Sequence, residues 1–217
     1  MKTSLIFFPG LGSDSRLFVH QQKVFKNSLF PPWLVPRKNE FLPQYARRWA
    51  EKLKLKRDCC LVGVSFGGMV AQEMARWMRP KAVILIGSCR SAESIPSYLK
   101  IAGNLPTWPR LSKKLCELFP GNGGIFLGAR KKAQRDLLMR MFLETPDDFA
   151  RWTVRAIFAW KGCEPDGSRV FHIHGEKDHL IPLSRVHPDK VISGGGHLIN
   201  LTHPKEVNEF IRKCMEG

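Results

Sequence analysis

Short apolar segments alternate with longer amphipathic segments along most of this chain. Residues 59–64 form an unbroken apolar run, which is typical of a strand buried on both faces of a sheet. The alternation predicts strand–helix units on a mostly parallel sheet. Six segments are predicted to be strands: residues 5–8, 33–35, 59–64, 82–86, 170–174 and 190–192.

The amphipathic segments have the spacing of helices. In residues 44–56, Tyr45, Trp49 and Leu53 recur every four positions, with charged residues between them. This spacing places the three apolar side chains on one face of a helix. Helices are predicted at residues 16–26, at residues 44–56, between Ser65 and Pro80, and from Pro204 to the end of the chain.

Residues 91–161 interrupt this alternation, because they contain no strand pattern. They are rich in aromatic and basic residues, are broken by prolines and contain two helical patterns, near Leu138 and Trp152. Ligands of open α/β sheets bind at the carboxyl edge of the strands, where an inserted segment would cover them. We therefore predict one domain over residues 1–217, with a helical lid inserted at residues 91–161.

The composition is that of an ordinary globular protein, with 217 residues, 43% hydrophobic and 25% charged. No apolar run approaches the roughly 20 residues of a membrane span. The apolar run near the N-terminus is too short for a secretory signal, so we expect a cytoplasmic protein. The six cysteines form no paired metal-ligand spacing, and we expect reduced thiols and no zinc site.

The net charge is +16, and the basic excess is concentrated in two regions. Residues 1–60 carry 12 basic and four acidic residues, and residues 97–160 carry 11 and five. Such a surface attracts nucleic acids, anionic membranes or acidic substrates without selecting among them. Because the chain has no long basic block and no nucleic-acid-binding motif, we expect no specific nucleic acid partner.

The most informative motif is the sequence GxSxGG at residues 63–68. It follows a predicted buried strand and precedes a predicted helix, which is the context of a nucleophile elbow. A free serine hydroxyl is a poor nucleophile, and such a turn would expose Ser65 beside an activating base. The alternative interpretation of the motif is a glycine-rich turn that binds phosphate.

An activated serine needs a base and an acid, which in this arrangement follow the serine along the chain. Asp178 lies in the loop after predicted strand 170–174, and His197 follows three glycines after the last strand. We predict that His197 takes the proton of Ser65 and that Asp178 holds the imidazole in one tautomer.

Three other histidines lie near the predicted acid. His179 is a weaker candidate for the base, because adjacent residues in a turn rarely orient toward each other. His172 and His174 alternate with apolar residues on a predicted strand, so we expect them to be packed or hydrogen-bonded structural residues.

Four segments together resemble the α/β-hydrolase superfamily, in its small, single-domain, esterase-like branch. They occur in the order found in that family and span nearly the whole chain. The resemblance implies an α/β fold, with a mostly parallel sheet of about six strands, helices on both faces and a helical lid. The segments are FFPGLG at residues 7–12, the elbow at residues 63–68, HGEKD at residues 174–178 and GH at residues 196–197.

The resemblance also assigns roles to individual residues. Ser65 would be the nucleophile, Asp178 the acid and His197 the base. The oxyanion hole would consist of the backbone N–H groups of Leu11 and Phe66, which stabilise the negative oxygen of the intermediate. No metal or organic cofactor is implied.

The chain departs from the family in two places. The family often has a histidine where this chain has Pro9, which affects how the first loop packs. It also often has two further strands before the first one, and their absence predicts a minimal sheet. The candidate residues for an apolar substrate pocket are Trp108, Phe142 and Trp152.

The leading hypothesis is a serine hydrolase that cleaves a small carboxylic ester or thioester through an acyl-enzyme on Ser65. One alternative keeps the triad but performs acyl transfer or lyase chemistry on an anionic substrate, such as a coenzyme A-linked or carboxylated molecule. The other alternative is a non-catalytic protein that binds a ligand or nucleic acid. We expect a small-molecule substrate and no cofactor.

Overall fold

A parallel sheet forms the centre of the protein, which a computed structural model describes over residues 4–97, 108–118, 122–163 and 167–216. Its strands lie side by side in the order of the chain, and each pairs in parallel with the next. The α/β class predicted from the alternating pattern is confirmed. The strands are β1 (Ser4–Phe8), β2 (Cys59–Val64), β3 (Ala82–Ile86), β4 (Arg169–Gly175) and β5 (Lys190–Ile192).

The strand predicted at residues 33–35 is wrong. The edge of β1 is instead bridged by Leu29, whose N–H donates to the Leu5 carbonyl at 2.8 Å and whose carbonyl accepts from the Phe7 N–H at 2.9 Å. Prolines on both sides of residues 33–35 lack the N–H groups that a strand needs, so pairing stops after one residue. The described residues therefore form five strands rather than about six.

Helices connect the strands and cover both faces of the sheet. Several begin or end where the sequence predicts, and the last one begins at Pro204. The helices within the described residues are α1 (Val19–Val24), α2 (Leu42–Lys52), α3 (Phe66–Met78), α4 (Trp108–Leu118), α5 (Asn122–Phe126), α6 (Lys132–Glu144), α7 (Asp147–Ala159), α8 (Ile199–Thr202) and α9 (Pro204–Glu216).

Two apolar clusters, one on each face of the sheet, hold these layers together. Side chains of β1 alternate between them: Phe8 packs in the cluster that contains Trp49 of α2, and Phe7 in the cluster that contains Ile211 of α9. β2 and β3 are buried along their whole length. Cys59, Cys60, Cys89 and Cys214 are free thiols and are buried.

The chain between β3 and β4 contains helices α4 to α7, and the described residues of this part contain no strand. Trp152 and Trp160 join it to the body of the protein, since their indole N–H groups donate to the Glu40 carbonyl at 2.7 Å and to Glu73 Oε1 at 2.8 Å. No helix within the described ranges is long and apolar enough to cross a membrane.

Candidate active site

Ser65 lies on the turn between β2 and α3, with φ 52° and ψ −119°. This backbone conformation is strained for a residue with a side chain and persists only where the surroundings hold it. The Ser65 N–H donates to the Ile86 carbonyl at 3.0 Å, and the Ser88 hydroxyl donates to the Ser65 carbonyl at 2.7 Å. The structure thus places Ser65 on the sharp turn that the motif predicts.

The glycines of the motif are required by close packing around this turn. A Cβ atom on Gly63 would lie 2.3 Å from the Gly67 carbonyl oxygen, and one on Gly67 would lie 2.1 Å from the Phe8 carbonyl oxygen. A Cβ atom on Gly68 would lie 2.4 Å from the Ser88 hydroxyl. The motif therefore brings the start of α3 against the end of β1, where the first loop begins.

Asp178 and His197 form a buried pair at the same edge of the sheet. Asp178 is 4% exposed and His197 2% exposed, and His197 Nδ1 lies 2.7 Å from Asp178 Oδ2. The other oxygen, Oδ1, accepts the N–H groups of Leu180 and Ile181, each at 2.9 Å. This arrangement favours a proton on His197 Nδ1 and leaves Nε2 able to accept one.

A second histidine contacts the same carboxylate. His174 Nε2 lies 3.2 Å from Asp178 Oδ2 and 2.8 Å from the Ile181 carbonyl oxygen. Because both neighbours are acceptors, this nitrogen carries the proton, and His174 Nδ1 accepts from His172 Nε2 at 3.1 Å. Three buried histidines and one carboxylate therefore form a continuous hydrogen-bonded chain.

The contact between His174 and the acid is absent from the sequence prediction, which assigns His172 and His174 only structural positions. Residues 172 and 174 lie on one face of β4, and the chain then turns so that Asp178 approaches the second ring. The spacing HxHGxxD at residues 172–178 is the feature of the sequence that could have indicated this contact. His179, the alternative base, is exposed, and its ring lies 5.9 Å from that of Phe126.

The surroundings hold two members of this hydrogen-bonded chain, Asp178 and His172, in different states of charge. Burial opposes ionisation of Asp178, but the charge of His197 and hydrogen bonds from His174, His197 and Ile181 outweigh it and hold the pKa of the carboxyl well below its usual range. Burial, with the nearby charge of Arg90, lowers the pKa of His172 to about 3. At neutral pH Asp178 is therefore ionised and His172 is neutral.

We expect stability to fall as the pH is lowered from 7 to 5, in part because of His172. The unfolded chain binds a proton at this residue below its ordinary pKa of 6.5, whereas the folded protein binds it only near 3, so stability rises with pH inside this window. The residue should account for roughly 2 kcal/mol between pH 7 and 5. Urea unfolding of wild type and His172→Gln at pH 7 and pH 5 measures this contribution. The free energy of unfolding of wild type should fall more between these pH values than that of His172→Gln, and an equal fall in both proteins would contradict the assignment.

The two predicted oxyanion donors belong to Phe66, which follows Ser65 in the chain, and to Leu11, which lines the same cavity as Ser65. Phe66 is the first residue of α3, so its N–H has no acceptor within the helix. No backbone carbonyl of the described residues accepts the Leu11 N–H. The Leu11 loop is braced by the Ser13 hydroxyl, which donates to the Gly10 carbonyl at 2.9 Å. A Cβ atom on Gly10 would lie 3.3 Å from Ser65 Cβ, so this loop passes directly beside the elbow.

Ser65 and His197 line one cavity of about 490 Å³. Its wall is mainly apolar, and Phe142, predicted for the pocket, belongs to it. Trp152 does not line this cavity; its ring packs against Tyr45 at 4.4 Å and Phe66 at 6.0 Å. The side chain of Trp108, the third predicted pocket residue, lies outside the part of the chain that the structure describes.

The described residues contain no group of three or more His, Cys, Asp or Glu side chains arranged to hold a metal ion.

The sequence profile of the Alpha/beta hydrolase family matches residues 5–210, which is nearly the whole chain. The chain belongs to the α/β-hydrolase family. The elbow, the acid loop and the last loop all lie within the matched residues.

This α/β hydrolase is similar to many solved structures. An esterase from Thermogutta terrifontis has a TM-score of 0.72 at 16% identity, covering 99% of this chain and 89% of the esterase. An enol-lactonase from Burkholderia xenovorans has a TM-score of 0.74 at 14% identity, covering 100% and 92%. A meta-cleavage product hydrolase from Pseudomonas fluorescens has a TM-score of 0.60 at 17% identity, covering 99% and 90%. At such low identities these likenesses establish a shared fold.

No curated protein sequence matches this α/β hydrolase significantly. The family is therefore established by the profile and the fold by the solved structures, while the substrate follows from neither.

Proposed function

We propose that this α/β hydrolase is a serine hydrolase that cleaves a small carboxylic ester or thioester. One observation carries the proposal: Ser65, on a strained turn, and His197, paired with a buried carboxylate, line the same cavity. A nucleophile, a base and an orienting acid in this relation are what acyl transfer to serine requires.

The reaction proceeds in two halves. His197 Nε2 takes the hydroxyl proton as Ser65 Oγ attacks the substrate carbonyl, and ionised Asp178 stabilises the imidazolium. The N–H groups of Leu11 and Phe66 bind the negative oxygen. The intermediate collapses, the leaving alcohol or thiol takes the proton from His197, and an acyl-enzyme remains. His197 then activates water, which releases the acid and restores the free hydroxyl of Ser65.

In this proposal the chain is a single domain, and the helices between β3 and β4 form the lid that the sequence predicts at residues 91–161. Phe142 of α6 and Ile157 of α7 line the cavity. Their apolar side chains suit an apolar acyl or alcohol group next to the scissile bond. One solved neighbour is an enol-lactonase, so cyclic esters belong among the substrates tested.

Hydrolysis of p-nitrophenyl esters from acetate to laurate, a thioester and a lactone tests the proposal. We expect turnover with an optimum at an intermediate chain length, since the cavity of about 490 Å³ is apolar but finite. A fluorophosphonate probe should label the protein at Ser65. Labelling without turnover of any ester would exclude the proposed substrate class and favour acyl transfer or lyase chemistry, and the absence of both would exclude the proposed nucleophile.

A further inference from the structure

Arg135 of α6 lines the cavity beside Ser65 and His197. It is the one Lys, Arg, Asp or Glu among the described residues that line this cavity. Nearby parts of the wall are apolar, including Leu138, Met139 and Phe142 on the same helix. Arg135 is half-buried, and a positive charge at the border of an apolar wall favours a negative partner.

The protein supplies Arg135 with no acidic partner among the described residues. Four acidic side chains lie on α6 and α7, and each is paired with a different basic residue. These four carboxylates form ion pairs with other basic residues, so none of them pairs with Arg135. The pairs are Lys132–Asp136, Arg16–Glu144, Lys113–Asp147 and Arg151–Asp148.

The side chain of Arg135 is nevertheless positioned by its neighbours. Its stem passes over Gly124 of α5, where an added Cβ atom would lie 2.9 Å from Arg135 Cγ. The guanidinium Nη1 donates to the Arg130 carbonyl. A guanidinium has five N–H donors, so this bond leaves others for a ligand. The side chain is half-buried, which restricts its motion more than that of a surface arginine.

We propose that Arg135 binds an anionic group of the substrate, and this rests on the proposed function at Ser65. The substrate is then an ester or thioester with a carboxylate or phosphate separated from the scissile carbonyl by an apolar spacer. The spacer lies along the apolar wall and the anion meets the guanidinium, whose planar fork suits carboxylate and phosphate oxygens.

A paired substrate comparison tests this inference. Mono-p-nitrophenyl esters of dicarboxylic acids with four to eight carbons are each compared with the methyl-capped, neutral ester of the same length. We expect the carboxylated ester to have the higher kcat/KM at the best length, by about 10- to 100-fold, as for hydrogen bonds to charged groups. In Arg135→Gln this ratio should fall toward one, and in Arg135→Lys it should be intermediate.

The matched control is Arg140→Gln, which removes the same charge from an exposed position on the same helix outside the cavity lining. The control separates direct binding from general attraction by the basic surface. Arg140→Gln should keep the substrate preference of wild type. Equal turnover of both esters by wild type, or equal loss of preference in Arg135→Gln and Arg140→Gln, would overturn the inference.

A binding measurement keeps this inference separate from the proposed hydrolysis. Calorimetric titration of the protein with adipate, with hexyl phosphate and with dimethyl adipate needs no turnover. We expect an anion to bind with a Kd about 10- to 100-fold lower than that of the diester, and this advantage should be lost in Arg135→Gln only. The better of the two anions identifies the group. A diester that binds as well as both anions would refute the inference even if Ser65 hydrolyses esters.

Discussion

Replacing Ser65 with alanine should reduce ester turnover by at least about 10⁴-fold while the protein remains folded. In the proposed mechanism the Ser65 hydroxyl forms the covalent intermediate, and alanine has no atom to do so. Alanine and serine both carry a Cβ atom, so the strain of the turn at φ 52° is the same in both proteins. We therefore expect the free energy of unfolding to change by less than about 0.5 kcal/mol.

The experiment compares kcat/KM on the best ester, fluorophosphonate labelling and urea unfolding of the two proteins. Ser112→Ala is the matched control, because it removes another hydroxyl from the lining of the same cavity. The control should keep turnover within a few-fold of wild type and should still be labelled. Wild-type turnover in Ser65→Ala, or labelling that persists in it, would exclude Ser65 as the nucleophile.

Replacing Asp178 with asparagine should lower turnover by about 10⁴-fold, almost as much as removing the nucleophile, although the two side chains have nearly the same shape. The Leu180 and Ile181 N–H groups both donate to Oδ1, so the amide oxygen of asparagine is retained on that side. The amide NH₂ group then replaces Oδ2, which faces His197 Nδ1 at 2.7 Å.

An NH₂ group at this place donates where the carboxylate accepts. His197 would have to accept at Nδ1 and carry its proton on Nε2, so it could no longer take the proton of Ser65. His174 Nε2, 3.2 Å from the same atom, would also meet a donor and would keep only its bond to the Ile181 carbonyl. The substitution therefore affects both histidines.

Steady-state kinetics of Asp178→Asn at several pH values measure this effect, and Asp148→Asn, on the exposed end of α7, is the control. Since the pKa of Asp178 lies well below its usual range, the acid stays ionised throughout the pH range of the assay, and the loss in the variant should be present at every pH above 5. A loss of less than tenfold would contradict the role assigned to Asp178.

The elements with the plainest local signals were the ones that the sequence predicted well. The bounds of β2 and β3 follow from unbroken apolar runs, and α9 starts at a proline, which suits the first turn of a helix. Residues 33–35 look like a strand by composition. Their flanking prolines cannot pair, so the edge position is held by Leu29 alone.

The order of Ser65, Asp178 and His197 along the chain predicted which side chains the sheet would bring to one edge, because parallel strands place their following loops together. Contacts between distant side chains were harder to predict. Periodicity assigns Trp152 to a buried helix face but does not say whether that face meets the cavity or the core. It likewise places Arg135 on α6 without indicating that the nearby acids are paired elsewhere.

The cavity is assembled from two sources with little in common. The loops that follow β1, β2 and β5 contribute Leu11, Ser65 and His197, whereas much of the remaining wall comes from α5, α6 and α7. Substitutions on these helices can therefore alter selectivity without disturbing the reactive groups. Substitutions of the reactive groups can likewise alter catalysis without disturbing the helices of the wall. New specificities can therefore be sought by changing one part while the other is kept, and directed evolution of this protein should begin with the helices.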